Sequence, residues 1–184
     1  MGAVLSILVL IIGGAFGFFF AESNPYIATT IWVITVLIAI YIAYAVRVAD
    51  QWEKHVVLRM GKYIGLRGPG LFFIIPVLDK VHYVIDLRTQ VSTFDAKQTL
   101  TKDNVPVDVD AILFWRVIDA EKAALEVTDY WLAVTQAAQT GLRDIIGQTE
   151  LSQMLAGRDA IGSNLKTLID SRTDGWGVDV SSVE

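Results

Sequence analysis

The chain contains 184 residues, 53% of them hydrophobic, and has a formal net charge of −5 at pH 7. This hydrophobic fraction is high for a soluble domain and predicts a membrane segment. The absence of cysteine excludes disulfides, a thiolate nucleophile and thiolate metal ligands within this sequence. Nucleic-acid binding is also disfavoured, because the basic residues all follow residue 46 and residues 68–184 carry more acidic than basic groups.

Two charge-free segments, residues 2–21 and 27–46, begin the chain. A helix of 20 residues is about 30 Å long, which matches the hydrocarbon core of a bilayer. Trp32 lies near one end of the second segment, and Tyr41 and Tyr44 lie near the other, as interfacial aromatic residues do. These features predict a transmembrane or intramembrane helical hairpin. Three glycines of the first helix either allow close approach of the second or only add flexibility: Gly13, Gly14 and Gly17.

The linker between these segments, ESNPY, contains the turn signal Asn24–Pro25 and is short enough to force an antiparallel hairpin. The first basic residue, Arg47, follows the second segment, whereas Glu22 lies in the linker. The apolar hairpin predicts that the protein lies in the cell membrane. The positive-inside rule then predicts that the rest of the chain lies on the cytoplasmic face. Two alternatives are open: a signal peptide over residues 1–21, which would lack a basic n-region, and a shallow hairpin that does not cross.

From about residue 52 the hydrophobic pattern becomes the period-two alternation of β-strands. In the longest predicted strand, the odd-numbered residues from Val105 to Val117 form one apolar face, while Asp108 and Asp110 share the other. A turn is predicted at Gly61. The segments that carry this pattern are KHVVLRMGKY, KVHYVIDLR and NVPVDVDAILFWRV.

After Asp119, which fits the N-cap of a helix, the period becomes helical. One helix is predicted from Thr128 to about Gly147, a short helix with Thr149 as its cap follows, and a third helix precedes a final strand. This order of strands, then helices, then a returning strand predicts an α+β fold with antiparallel strands and packed helices.

Several motifs in this part of the chain occur together, and on them the sequence resembles the SPFH family, named for stomatin, prohibitin, flotillin and HflK/C. Within the family it is most similar to a prokaryotic stomatin, or slipin. The combination is specific, although each motif alone would be weak. The matching segments are VVLRMGKYIGLRGPGLFFIIPVLDKVHYVIDLRTQ (56–90), TLTKDNVPVDVDAILFWRVID (99–119), ALEVTDY (124–130), LRDIIGQTELSQMLAGRD (142–159) and WGVDVSSVE (176–184).

The two charge-free segments predict a membrane-anchoring hairpin over residues 1–46, and the resemblance implies an SPFH, or band 7, domain over residues 47–184 that continues into an assembly helix. It implies a non-enzymatic scaffold that oligomerises into rings or cages, organises membrane microdomains, and regulates or encloses membrane proteins. The implied partners are copies of the chain itself, membrane lipids, and an NfeD-like membrane protein or a membrane protease. No cofactor and no nucleic acid are expected.

Two other functions are weighed against this scaffold. One is a subunit of a membrane protease complex, although no nucleophile and base are paired in the sequence. The other is an ion-channel regulator or pore component that acts through direct binding. The predicted spans contain no charged residue, which argues against a pore.

The segment GPGLFFIIP is too short to cross a bilayer, and it is expected to lie at the membrane-proximal end of the domain. A buried strand is the alternative, and a mixed role is favoured, with Phe72 or Phe73 touching lipid. The predicted membrane-contact residues are Trp32, Tyr41, Tyr44, Arg47, Leu71, Phe72 and Phe73.

Charged residues of the domain are interpreted as contacts between subunits rather than as a metal site, because no further ligand accompanies the aspartates. His55 and His82 are assigned to strand surfaces, and Ser163 with Lys166 to a solvated helix face. No catalytic, metal-binding or cofactor-binding residue is predicted. The candidate interface residues are Lys102, Asp103, Asp108, Asp110, Arg143, Asp144, Arg158 and Asp159.

Overall fold

The computed structural model describes residues 2–21 and 25–184 in two compact units, divided between Val84 and Ile85. Helices are combined with antiparallel strands, which confirms the predicted α+β fold. Glu22 and Asn24, on which the predicted linker turn and its side of the membrane depend, lie outside the described residues.

In the first unit, both charge-free segments form helices, α1 (Gly2–Ala21) and α2 (Pro25–Ala45), that pack against each other. Within the described residues, α2 carries the one apolar stretch that can cross a membrane by its length and composition, Ala28–Ala45. The apolar stretch found in α1 is shorter, Ala3–Ala15. Apolar helices are therefore present where the hydrophobic pattern predicts them.

The two helices approach each other closely at Gly13. A Cβ atom added there would lie 2.1 Å from Cγ2 of Thr35, so no larger residue fits without a shift. At Gly14 an added Cβ would meet the Trp32 ring at 3.5 Å, which is an ordinary contact distance. Close helix approach is thus the correct interpretation of Gly13, and the surroundings of Gly17 lie outside what the structure describes.

Five strands of the first unit form two small sheets. The first strand pairs with the fourth in an antiparallel ribbon, and the other three form a sheet in the order β3-β2-β5. The segment KHVVLRMGKY is a hairpin of two strands that turns at Met60 and Gly61, as predicted for Gly61. The strands are β1 (Val46–Ala49), β2 (Glu53–Arg59), β3 (Lys62–Arg67), β4 (Gly70–Phe73) and β5 (Asp79–Asp86).

The second unit is an antiparallel sheet in the order β6-β7-β8, packed against helices. Strand β6 was not predicted, because a serine interrupts its apolar alternation. That serine, Ser92, is buried and accepts a 3.0 Å hydrogen bond from Nε1 of Trp115, which satisfies both polar groups. The elements are β6 (Gln90–Leu100), β7 (Pro106–Val117), α3 (Ala120–Leu125), α4 (Tyr130–Gln148), α5 (Leu151–Ala156), α6 (Arg158–Thr173) and β8 (Val178–Val183).

The core of the second unit lies between the sheet and helices α4 and α6. Odd-numbered residues of β7 face this core, as the alternation predicts, and each fully buried aliphatic side chain stabilises the fold by about 1.5–3 kcal/mol. Trp115 contacts the rings of Tyr130 and Trp131 edge to face. The large apolar side chains that are fully buried in this core include Leu113, Trp115, Val134, Ile146, Leu165, Ile169 and Val180.

Helix N-caps were partly predicted. Asp119 caps α3 by accepting hydrogen bonds from the next helical N–H groups, as expected. Helix α4 begins at Tyr130 rather than at Thr128, because Asp129 is its cap. The prediction of Thr149 as the cap of α5 is wrong: its hydroxyl donates back to the carbonyl of Ile145.

Helix side chains also occupy the edges of this sheet. Asp170 accepts a hydrogen bond from the N–H of Val180, and Lys166 donates to the carbonyl of Ser181. On the other edge, Gln139 donates to the carbonyl of Asp95. These contacts block addition of another strand at those positions, and they account for Lys166 without a serine–lysine dyad.

Replacing Gly13 by alanine is expected to separate α1 from α2 by about 1.5 Å, because the added Cβ would lie 2.1 Å from Cγ2 of Thr35 and non-bonded carbon atoms settle about 3.5–4.0 Å apart. Pulsed EPR between spin labels at Leu8 and Ile40, which are exposed on the two helices, measures the separation. Gly14→Ala is the matched control, because its Cβ has room. Thr35→Gly should restore the native distance, and an unchanged distance in Gly13→Ala would contradict this packing.

Candidate membrane-contact and assembly surfaces

The ribbon of β1 and β4 is attached directly to the end of α2. Helix α2 ends at Ala45 and β1 begins at the next residue, Val46, which pairs with Phe73 of β4. The N–H of Ile74 then donates a 2.9 Å hydrogen bond to the carbonyl of Ala45, one of the carbonyls that a helix C-terminus leaves unpaired. The ribbon is therefore fixed at the end of the apolar helix.

The two faces of the ribbon differ. Phe72 is only 9% exposed and packs in a small core with Ala49 and Ile74, so its predicted lipid contact must be corrected to a core position. On the other face, Leu71 and Phe73 are exposed, Phe73 to 67%. The alternation of β4 divides GLFF between core and surface, in agreement with the mixed role favoured for this segment.

The remaining predicted membrane-contact residues are exposed. Trp32, Tyr41 and Tyr44 have exposed side chains along α2, and Arg47 is exposed on β1. Arg47 lies two residues beyond the end of the helix, where a cation can interact with the negative end of the helix dipole and with lipid phosphate. Their exposure leaves these side chains available for membrane contact.

An ion pair that the sequence did not reveal joins the end of β2 to the start of β5 in the first unit. Nε and Nη2 of Arg59 donate to the two carboxylate oxygens of Asp79 at 2.6 and 3.0 Å. Asp79 also accepts a 2.9 Å hydrogen bond from the N–H of Ile75. The Arg59 hydrogen bonds, aided by that of Ile75, lower the pKa of Asp79 from 3.8 to about 2.

Both histidines lie on strands and close to aromatic rings. His55 lies 3.1 Å from a carboxylate oxygen of Glu53 and contacts the Phe72 ring edge to face. His82 contacts the ring of Tyr83 in the same manner. Within residues 2–21 and 25–184, no group of three or more acidic or histidine residues has a geometry that could hold a metal ion.

The second unit presents one sheet face to solvent. Asp110 lies directly opposite Asp95 in the β6–β7 register, where like charges repel, and Nζ of Lys97 lies 3.6 Å from a carboxylate oxygen of Asp95. Asp108 is exposed on the same face and accepts a hydrogen bond from the N–H of Gln98 at 2.6 Å. Towards the middle of the sheet this face becomes apolar, with Ile112 exposed.

The turn between β6 and β7 is held by contacts inside the chain. Asp103 accepts a hydrogen bond from the Thr101 hydroxyl at 2.5 Å and another from the N–H of Leu151, the first residue of α5, at 3.3 Å. The Thr101 bond is the main cause of the lowered pKa of Asp103. Lys102 lies 3.6 Å from Glu150. Asp103 therefore caps α5 from a distant part of the sequence.

The candidate interface residues that are neighbours in sequence on α4 and α6 do not pair with each other. Asp144 pairs with Arg172 of α6 at 2.8 Å rather than with its neighbour Arg143. Arg143, Arg158 and Asp159 are exposed and form no ion pair within the described residues.

An open cleft of about 720 Å³ brings some of these residues together. Asp110 of β7 lines it together with Arg158 and Asp159 of α6. Its charges are of both signs, and Ser163, which also lines it, donates its hydroxyl to the main-chain carbonyl of Asp159. The cleft thus presents both acidic and basic side chains to a second surface. The hydroxyl of Ser163 is bound to a main-chain carbonyl rather than to a basic side chain.

These features define a class of protein in which an α+β domain follows directly on two packed apolar helices. Residues 47–184 match the SPFH domain / Band 7 family. The chain belongs to this family, whose stomatin-like members are in general membrane-associated scaffolds.

Similar proteins come from archaea and animals. Stomatin homologues of Pyrococcus horikoshii and Pyrococcus abyssi are each 44% identical over 83% of this chain, which covers 57% and 56% of their own lengths. Mouse stomatin is 35% identical over 83% of the chain and 53% of its own length. The chain therefore spans a little more than half the length of these relatives.

Two residues of these surfaces escaped the sequence analysis. Val48 pairs with Leu71 across the ribbon and shares its exposed face, but strand β1 is too short to show an alternation. Asp95 stands opposite Asp110 only because of the register of β6 and β7. The alternation of Phe94 and Ala96 about Asp95 was the available signal for β6.

Asp79→Asn is expected to lower the stability of the first unit near neutral pH. It should also make that stability depend less on pH in the acid range. The folded pKa of about 2 lies below the ordinary 3.8, so this carboxylate stabilises the fold above about pH 4 and loses that contribution as the pH falls towards 2. Thermal unfolding in detergent between pH 6 and pH 2 measures the effect.

The difference in unfolding temperature between the native chain and Asp79→Asn should shrink as the pH falls from about 4 towards 2. Arg59→Gln removes the main cause of the shift, so it should move the acid-sensitive range of Asp79 to higher pH. A difference that stays constant from pH 6 to pH 2 would contradict the assignment.

Proposed function

We propose that this chain is a membrane-anchored, stomatin-like scaffold that oligomerises into rings or cages. It organises membrane microdomains and regulates or encloses membrane proteins, for which an NfeD-like membrane protein or a membrane protease is the proposed partner. It acts without catalysing a reaction. The observation that carries the proposal is the hydrogen-bonded attachment of an outward-facing apolar ribbon to the end of a helix suited to crossing a bilayer.

The proposed membrane contact has two parts. Helices α1 and α2 anchor the chain, and the exposed face of the ribbon, with Val48, Leu71 and Phe73, lies on the lipid. Exposed apolar side chains next to a membrane helix are costly in water and favourable at the interface. Arg47 supports the cytoplasmic side for the domain, because basic residues flank spans on that side.

The proposed self-assembly uses the surface of the second unit. Its sheet edges are blocked at the positions that Gln139, Lys166 and Asp170 occupy, which argues against assembly by strand addition there. The solvent-facing side of the sheet retains the unfavourable opposition of Asp95 and Asp110. Basic groups of a neighbouring copy would relieve that repulsion, and repetition around a ring would add avidity to weak contacts.

A fluorophore attached to a single cysteine at Phe73 is expected to be quenched by lipids that carry a quencher near the headgroup. The chain contains no native cysteine, so one substitution gives one label. Membranes that contain the full chain are used, and a label at exposed Ser152 of α5 is the control. Absence of lipid quenching at Phe73 would remove the ribbon from the membrane contact.

Native-membrane particles of the protein are expected to be far larger than a monomer by mass photometry, and Asp110→Lys should reduce their mass. The substitution turns the opposition with Asp95 into an attractive pair, so stability should be maintained while an interface that needs the acidic face is lost. Glu126→Lys, at an exposed acidic residue elsewhere in the unit, is the matched control. A native chain that is monomeric or dimeric in its membrane would refute assembly.

A further inference from the structure

Two apolar residues of the first unit occupy backbone conformations that normally belong to glycine or asparagine. Met60 has φ +50° and Val77 has φ +76°. The other non-glycine residues with positive φ in the described chain, Gln98 and Asn104, are polar. A positive φ is especially unfavourable for a β-branched residue, so Val77 carries backbone strain.

Among the described residues, the side chains of Met60 and Val77 do not offset this strain by packing. Val77 is fully exposed and Met60 is 82% exposed, so neither side chain gains stability by packing in the core. Val77 is the third residue of the turn Ile75–Leu78, in which the N–H of Leu78 donates to the carbonyl of Ile75 at 3.2 Å. With Pro76 in second place this is the pattern of a type II turn, whose third position favours glycine. A small or polar residue would serve the fold of this turn better than valine.

The two turns are neighbours and are held together. The N–H of Met60 donates a 3.0 Å hydrogen bond to the carbonyl of Leu78, which joins the β2–β3 turn to the turn before β5. The Arg59–Asp79 pair braces both turns, because Asp79 also binds the N–H of Ile75. The exposed apolar side chains of Met60 and Val77 are therefore presented on one fixed support.

This support lies at the end of the unit where the apolar helix ends. Strand β4 runs towards the end of α2, since Ile74 directly after it is hydrogen-bonded to Ala45. Val77 follows Ile74 by three residues, a separation of at most about 11 Å. Basic residues flank both turns in sequence, Lys62 after Met60 and Lys80 after Val77. Apolar tips with lysines beside them suit the boundary between acyl chains and anionic headgroups.

We propose that the side chains of Met60 and Val77 insert into the bilayer that α2 enters, as two braced wedges separate from the exposed face of the ribbon. The inference rests on the proposed membrane anchor and adds a second, rigid lipid contact to it. The strained backbone at Val77 is then retained because it aims an aliphatic side chain at lipid. The Arg59–Asp79 pair is a positioning element that keeps both turns at one depth.

Single cysteines at Met60, Val77 and Ile38, each labelled with an environment-sensitive fluorophore, test this in the full chain reconstituted with mixed neutral and anionic phospholipids. The fluorescence emission of the labels at Met60 and Val77 should shift to shorter wavelength on reconstitution. It should also be quenched by lipids that carry a quencher near the headgroup. The label at Ile38, in the middle of α2, should be quenched by a quencher deep in the acyl region. Asn104, an exposed residue with φ +60° in the second unit, is the matched control and should show neither effect.

The outcomes separate the inference from the anchor on which it rests. If the Ile38 label is quenched but those at Met60 and Val77 are not, the proposed insertion of the two turns is wrong and the helical anchor is retained. If none of the labels is quenched, the proposed helical anchor is wrong as well. A blue shift at Met60 or Val77 without lipid quenching would place these tips against protein and overturn the inference.

A variant with an unstrained turn adds an independent measurement. Val77→Asn removes the apolar wedge and relieves the backbone, since asparagine tolerates positive φ. Thermal unfolding should be unchanged or raised, whereas the label at Met60 should become less quenched because the paired turn is drawn out of the lipid. Unchanged quenching at Met60 in this variant would contradict the joint insertion of the two turns.

Discussion

The hydrogen bond between the N–H of Ile74 and the carbonyl of Ala45 joins the apolar helix α2 to the ribbon of β1 and β4, and the exposed surfaces of the first unit depend on it. A helix C-terminus leaves its last carbonyls unpaired, and an unpaired polar group near lipid is costly. Pairing one of them with the chain after β4 holds the ribbon against the helix end. The apolar residues Leu71 and Phe73, and the turn at Val77, are thereby kept close to that end.

In the second unit, helix side chains bind main-chain groups at the edges of the sheet. Helices cover one face and supply Gln139, Lys166 and Asp170 to groups at its edges, so the sheet cannot readily grow by adding strands there. The face left to solvent opposes Asp95 to Asp110, and Lys97, 3.6 Å from Asp95, offsets only part of that repulsion. The sheet edges are therefore occupied at those positions, whereas the charged face remains accessible to solvent.

Much of the fold was predictable because its signals are local. The charge-free segments gave the two helices, the odd-numbered residues of β7 gave its core face, and Asp119 gave the cap of α3. Strand β6 was missed because Ser92 disguises the alternation, and its burial is favourable only with Trp115 as donor. The cap of α5 was assigned to Thr149, whereas Asp103, 48 residues away, performs that role.

The sequence by itself determined the family, the apolar helices and the α+β class, since motif, hydrophobic length and period are properties of consecutive residues. Only the tertiary structure decided that Phe72 is buried while Phe73 is exposed, that Arg59 binds Asp79, and that the turns of Met60 and Val77 adjoin. The physical reason is that burial and pairing depend on the register of strands distant in sequence. One chain segment cannot specify that register without the segment it meets.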